Sequence, residues 1–265
     1  MSKRFNTLML CIQPALLLCP IAYASNNQHV STNSTIPHTS GATSHWFAGL
    51  ESAGIFLSPT GSHANRKFTN RDASLGAFNV RSGSTGMNIG AFVGYAIQNN
   101  QHWFSAYRVN IEGTHTVITP KVKGKWEYTL RSPANHYRYQ YYVAIKTLGA
   151  NIGVDVYRWH HFAVFLQAGT GVDWLTSKDF SQTPDARSDN VSFRFTGAKK
   201  SNLYYQGKIG VRYTLHHCAI SLAYTYANLG KVNTGEGKTG AGALASGLND
   251  KIKTNNIQLA LMYNF

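Results

Sequence analysis

The chain has 265 residues, 43% of them hydrophobic and 14% charged, with three cysteines, so it is neither a charge-rich disordered tail nor a small disulfide-framed domain. Its 25 Lys and Arg against 11 Asp and Glu give a net charge of +14, which asks for an acidic partner such as phosphorylated lipid, a polyanionic glycan or nucleic acid. One folded domain is the default at this length.

Residues 1–24 carry a basic start at Lys3 and Arg4, an apolar core from Leu8 to Ile21 and an Ala22-Tyr23-Ala24 end, the pattern of a cleaved secretory signal. Cys19, preceded by Leu18 and followed by Pro20, fits a lipidation site poorly. Residues 25–44 are rich in Ser, Thr, Asn and His with little to bury, which predicts a flexible polar lead-in before a folded domain over 45–265. Beyond the signal no apolar run reaches the length of a spanning helix. A membrane location therefore requires a barrel.

Eight segments alternate with period two. The first, Trp46 to Leu57, is oriented by Glu51, which must face the lumen. Met87, Ile89, Ala91, Val93, Tyr95 and Ile97 form the second apolar face. After a turn at Asn99-Asn100, Trp103, Tyr107, Val109 and Ile111 form the third, with Arg108, Asn110 and Glu112 opposite. Leu148, Ala150, Ile152, Val154 and Val156 alternate with Asn151 and Asp155. A turn over Arg158 to His161 leads to Val164, Leu166, Ala168, Val172 and Trp174, opposed by Gln167 and Asp173. Leu203, Tyr205, Ile209, Val211, Tyr213 and Leu215, opposed by Lys208 and Arg212, turn at His216-His217 into Ile220, Leu222, Tyr224 and Tyr226. Ile257, Leu259, Leu261, Tyr263 and Phe265 form the last, which pairs with the first to close the sheet.

The prediction is an all-β, transmembrane, antiparallel up-and-down barrel of eight strands, or ten if part of the first long loop pairs. Its short turns would be periplasmic, and four long loops, over about 58–85, 115–137, 176–202 and 230–252, extracellular. Alternation alone does not separate this from a soluble lipocalin-like barrel with its apolar side inward. The signal peptide, Phe265 and the aromatics at strand ends favour the membrane.

Read inward, Glu51, Glu112, Asp155 and Asp173 meet Arg108, Lys208 and Arg212, a polar network expected to plug a bore as narrow as eight strands leave. Lys146 falls on the lipid-facing parity, so either it snorkels at the outer rim or a bulge over Thr147 to Gly149 switches faces. Each loop carries more bases than acids, with Arg66, Lys67, Arg71, Lys121, Lys123, Lys125, Lys199 and Lys200 as candidate contacts to lipopolysaccharide phosphates or host polyanions. Trp126 and Tyr128 beside Lys121 to Lys125 could suggest base stacking, but export argues against nucleic acid as a partner. Trp103, Trp159, Trp174, Tyr137, Tyr139 and Tyr141 suit an interfacial girdle. His102, His160, His161, His216 and His217 would ring the periplasmic rim, without the carboxylate or thiol set of a metal site, and no cofactor is expected.

The glycine-spaced strands Ile89-Gly90-Ala91-Phe92-Val93-Gly94-Tyr95 and Leu166-Gln167-Ala168-Gly169-Thr170-Gly171-Val172 resemble those of the opacity-protein and OmpA-like small outer-membrane barrels of Gram-negative bacteria. Tyr224-Thr225-Tyr226-Ala227-Asn228-Leu229-Gly230 looks like their seventh strand, and Leu259-Ala260-Leu261-Met262-Tyr263-Asn264-Phe265 like their last. The resemblance implies that Leu259, Leu261, Tyr263 and Phe265 are the address read by the barrel-assembly machinery. The basic loops point to a non-enzymatic surface protein acting in surface interaction, adhesion or envelope structure, with a narrow solute pore as the alternative. Enzymatic relatives are a poorer match. A lipid A deacylase carries a His-x-Ser pair where Tyr224-Thr225-Tyr226-Ala227-Asn228 stands, a palmitoyl-transferase needs an apolar lumen, and Asp179, Asp185, Asp189 and His136 show no protease arrangement.

Overall fold

A computed structural model describes residues 42–61, 74–99, 101–129, 135–184, 193–239, 244–245 and 247–265. The segments expected as signal peptide and the bulk of the polar lead-in lie outside them. Strand β1 (Thr43–Gly61) begins ahead of the expected domain start at 45.

Eight long strands make the wall: β1, β3 (Thr85–Gln98), β4 (Trp103–Ile118), β6 (Asn135–Trp159), β7 (Phe162–Pro184), β9 (Ala198–Leu215), β10 (Cys218–Asn233) and β13 (Asn249–Asn264). Every pairing is antiparallel, and the order β6-β4-β3-β1-β13-β10-β9-β7 returns to β6. The first and last strands close the ring from Phe47↔Asn264 to Gly61↔Asp250. Closure satisfies the backbone of both terminal strands, the condition for placing a sheet in hydrocarbon.

Side-chain exposure separates the two barrel readings. Val93, Ile111, Ile152 and Ile209 stand at 50% exposure or more, whereas Glu112, Asp155 and Asp173 are buried to 3% or less. This is the inverse of a soluble barrel, and it is the construction of an outer-membrane-type barrel with an apolar band facing lipid. The band starts at Trp46, Trp103 and Trp159 beside the short turns. It ends at Phe56, Leu148, Leu203 and Ile257, above which the outward residues are mostly polar, beginning with Ser58, Lys146, Ser201 and Asn255. At the turn end the ring pairs Trp46–Tyr95 (5.3 Å between centroids), Trp103–Tyr157 (4.9 Å) and Phe162–Tyr213 (4.8 Å) form the girdle.

The four segments expected as loops are largely sheet, because the strands overshoot the band. Strand β2 (Ser74–Gly83) runs on from β3 through Ser84, and β5 (Lys121–Thr129) continues β4 past Pro120. Proline lacks the N–H that a central strand would donate and so interrupts β4. Its carbonyl still accepts from Val143 N at 3.0 Å, and Ser84 and Lys121 bond to each other across the break. β5 pairs with the upper half of β6 (Lys121↔Tyr142 to Tyr128↔Asn135), and β4 pairs with the lower half. The extra pair therefore raises the wall. It adds no strands to the ring, which corrects the ten-strand alternative. A small sheet of β8 (Phe193–Phe195), β11 (Gly237–Thr239) and β12 (Leu244–Ala245) lies in the connections at that end.

Replacing Val93, mid-band on β3, with Arg should cost about 2–4 kcal/mol of folding stability in lipid, as expected for a charge near the bilayer midplane. Urea titration of the barrel refolded into liposomes reads the difference, and an unchanged midpoint would contradict the outward assignment.

Candidate functional site

Two charged layers occupy the lumen. Near the short turns, Asp155 accepts from three guanidiniums: Arg212 Nη1 at 2.6 Å, Arg158 Nη2 at 3.3 Å and Arg108 Nη2 at 3.4 Å. Arg108 lies over the Phe47 ring (5.5 Å) and Arg212 over Phe165 (4.6 Å), so aromatic faces carry part of the excess positive charge. One level up, Lys208 donates to Glu112 in a short contact and lies 4.0 Å from Glu51, while Gln258 donates to Glu51. Asn151 and Gln206 also donate to Glu112, at 3.3 and 3.4 Å. Gly90 sits across from Glu51, where a Cβ would come within 2.9 Å of Glu51 Oε1. Among the lumen residues named from sequence, Glu51, Arg108, Glu112, Asp155, Lys208 and Arg212 therefore gather in these two layers. Asp173 stands apart higher up, accepting from Asn202 at 2.9 Å.

Arg158 is the member that sequence reading placed in a turn. A bulge skips Val156: Asp155 pairs with Phe165 and Tyr157 with Val164. The skipped residue reverses the parity, so Tyr157 takes the lipid side and Arg158 turns in toward Asp155. Val156, expected on the lipid face, is that extra residue. The same register answers the question at Lys146. No shift occurs over 147–149, and Lys146 is exposed on the outer face, paired with His115 and Trp174 just above Leu148.

Above the charged layers the interior turns apolar. Tyr137, Tyr139 and Tyr141 point inward at 2% exposure or less and pack with Val143, Ile145, Leu57, Leu175 and Ile252. Phe195 of β8 joins the same cluster from above. This corrects the girdle assignment of the three tyrosines and adds an apolar upper section to the lumen above the polar network. The signal is the apolar row at odd-numbered residues from Tyr137 to Ile145, between the loop expected to end near 137 and the strand expected from Leu148. Gly124 makes room for the Tyr139 ring, whose Cζ lies 2.3 Å from where a Cβ would be. At the level of Glu51 and Glu112, a cavity of about 30 Å³ is left, space for a water or two.

Above the band, Tyr141 donates to Asp250 Oδ2 at 2.5 Å. Burial pushes the Asp250 carboxyl up to about 6, with the tyrosine hydrogen bond opposing the rise.

The named basic residues divide. Arg66, Lys67 and Arg71 lie outside the described residues. Lys121, Lys123 and Lys125 belong to strand β5, and Lys199 and Lys200 to β9, a correction of their loop assignment. On β5 they alternate with buried Val122 and Gly124, so all three face out, with Lys121 Nζ 4.8 Å from the Tyr142 ring centre. Arg138 is exposed beside Lys125, and Lys146, Lys178 and Lys199 continue the exposed surface across β6, β7 and β9. Lys200 points the other way, toward Asn233 Oδ1 at 3.5 Å. Asp179 is exposed on the same wall, whereas Asp185 and Asp189 lie outside the described residues, as does the side chain of His136. At the opposite end, Tyr263 and Phe265 form an edge-to-face pair (5.1 Å) in the last strand, above which Leu261 and Leu259 alternate with buried Ala260 and Met262.

No family model matches the sequence, and no curated protein matches it. Among solved structures, the chain is similar to Neisserial surface protein A at 11% identity, covering 85% of this chain and 99% of that one, with a TM-score of 0.43. It is similar to the outer membrane protein OprG from Pseudomonas aeruginosa at 13% identity over 83% and 96%, with a TM-score of 0.41. A third is Ail, the attachment invasion locus protein of Yersinia pestis, solved with the heparin analogue sucrose octasulfate, at 13% identity over 84% and 99%, with a TM-score of 0.30.

Lys208→Met leaves Glu51 and Glu112 facing each other without their cation and should cost about 3–5 kcal/mol, whereas Lys208→Met with Glu112→Gln should recover most of that loss. Equilibrium urea unfolding in detergent micelles measures both. For Asp250, the folded carboxyl holds its proton more tightly than the unfolded one. Its contribution is complete below about pH 4 and lost as pH rises to about 6. Wild type should therefore lose about 2–3 kcal/mol relative to Asp250→Asn between pH 4 and 6.5. Parallel unfolding curves at the two pH values would contradict the buried carboxyl.

Proposed function

We propose that the chain is a non-enzymatic outer-membrane surface protein whose basic wall engages anionic groups at the membrane face, lipopolysaccharide phosphates first and host polyanions by the same chemistry. The observation that carries this is the outward set Lys121, Lys123, Lys125, Arg138, Lys146 and Lys199, standing on one side of the barrel directly above the apolar band. With the short turns toward the periplasm, that is the height of the outer leaflet's phosphates. Each such cation near an anionic surface contributes on the order of 1 kcal/mol. The export signal over 1–24 and recognition of Leu259, Leu261, Tyr263 and Phe265 by the assembly machinery belong to the same proposal.

Against a solute pore stands the filled interior, polar below and apolar above. Steady openings of large conductance in planar bilayers would restore the pore reading. Against acyl-chain chemistry stands the occupation of the apolar upper lumen by the three tyrosine rings and their aliphatic neighbours. Lipid A recovered from cells with and without the protein should have the same mass spectrum.

The basic wall is tested by Lys121→Gln, Lys123→Gln and Lys125→Gln combined. Lipopolysaccharide binding by the refolded barrel should weaken on the order of a hundredfold at low salt, and the wild-type affinity should fall as salt rises. Binding that ignores both the triple substitution and the salt would overturn the assignment.

A further inference from the structure

The short-turn end of the barrel opens into a cavity of about 420 Å³ that the basic wall does not touch. Arg108 and Arg158 line it, and Arg212 lies behind them on the shared carboxylate of Asp155. Three guanidiniums thus converge on one side-chain carboxylate, which leaves positive charge in excess. The rest of the mouth is polar: Gln98, His45 and Asn264 on neighbouring strands, then His160, His161, Thr214, His216 and His217 in and beside the two turns. Glu112, the next acid above Asp155, is taken up by Lys208.

Two further observations point to a ligand. Arg108 lines the cavity at 9% exposure, and among the described residues its Nε and Nη1 find no hydrogen-bond partner; both atoms are closed off from solvent, so a ligand meets them once the side chain turns toward the mouth. Buried guanidinium donors are ordinarily paired, and the partner whose geometry they match is a carboxylate or phosphate. The cavity is also blind, because the Asp155 layer, the Glu112 layer and the tyrosine cluster succeed one another above it. A group entering from the turn end stops against the guanidiniums.

We propose that this mouth is a receptor site for a small oxyanion, the carboxylate or phosphate group of a molecule on the short-turn side of the membrane. Arg158 and Arg108 hold the oxyanion and the histidines line its approach. His45 supports the assignment: burial and then the charges of Arg108, Arg158 and Arg212 lower its pKa. An anion seated beside those arginines opposes that electrostatic effect and favours the protonated His45 imidazole, so binding tightens as pH falls. Among the described residues no three His, Cys, Asp or Glu side chains sit closely enough to hold a metal ion.

The test uses the full barrel refolded in micelles with isotope-labelled histidine, titrated at constant ionic strength with sodium phosphate, sodium acetate or sodium chloride. The expected result is a saturable shift of the His45 ring resonances with phosphate, acetate or both, absent with chloride and several-fold tighter at pH 6 than at pH 7.5. Saturation by phosphate alone identifies a phosphate ligand, and saturation by acetate identifies a carboxylate. Arg158→Gln, which leaves Asp155 its bonds to Arg108 and Arg212, should weaken the binding at least tenfold while the barrel keeps its heat-modifiable migration on gels. Should Arg158→Gln fail to refold, His45→Gln read through the His161 resonance replaces it, and there the tightening at low pH should shrink. Linear drift with both oxyanions, or a saturable shift equally strong with chloride, overturns the proposal.

Discussion

The structure depends on the requirement that no backbone donor or acceptor meet hydrocarbon unpaired. That requirement turns the pairing of β1 with β13 from one contact among many into the condition for the rest. Once the ring is closed, the direction of every side chain follows from its parity, and the physical contrast between lipid and lumen sorts the sequence. Valine and isoleucine face outward, where acyl chains replace water. Glutamate, aspartate and arginine face a narrow interior that must neutralise them in pairs.

The interior meets that demand in two ways along its length. Near the short turns, opposite charges meet in two separate clusters, one centred on Asp155 with cations in excess and one on Glu112. Beyond the band the strands enclose a space that needs no ions, and Tyr137, Tyr139 and Tyr141 close it by packing. The change coincides with the place where the outer surface exchanges aliphatic for basic residues. The wall is therefore apolar outside and polar within across the bilayer, and polar outside and apolar within above it. The second arrangement is that of an ordinary soluble barrel.

That inversion explains what the sequence disclosed. Within the band, alternation has one meaning, and the eight strands, their pairing and the inward set of Glu51, Arg108, Glu112, Asp155, Lys208 and Arg212 follow from it. Above the band the same period has the opposite sense. Tyr137, Tyr139 and Tyr141 therefore read as an interfacial girdle although they face inward with Val143 and Ile145, and Lys121, Lys123 and Lys125 read as loop although they form a strand face. Arg158 was missed for another reason: a bulge shifts parity by one, and Val156 carries no residue-type signal that marks it as the skipped position. Pro120 lies inside the segment expected as a loop, and its residue type gives no sign that the strand resumes beyond it.

The continuation of β4 into β5 gives the exterior a stiff presentation. The stretch Lys121–Thr129 is held along its whole length to β6 on one edge and to β2 on the other, so its main-chain hydrogen-bonding groups are already committed. An antibody selected on a free peptide of that stretch would have to tear it from the sheet to bind. One selected on the intact molecule would read a flat patch assembled from side chains distant in sequence.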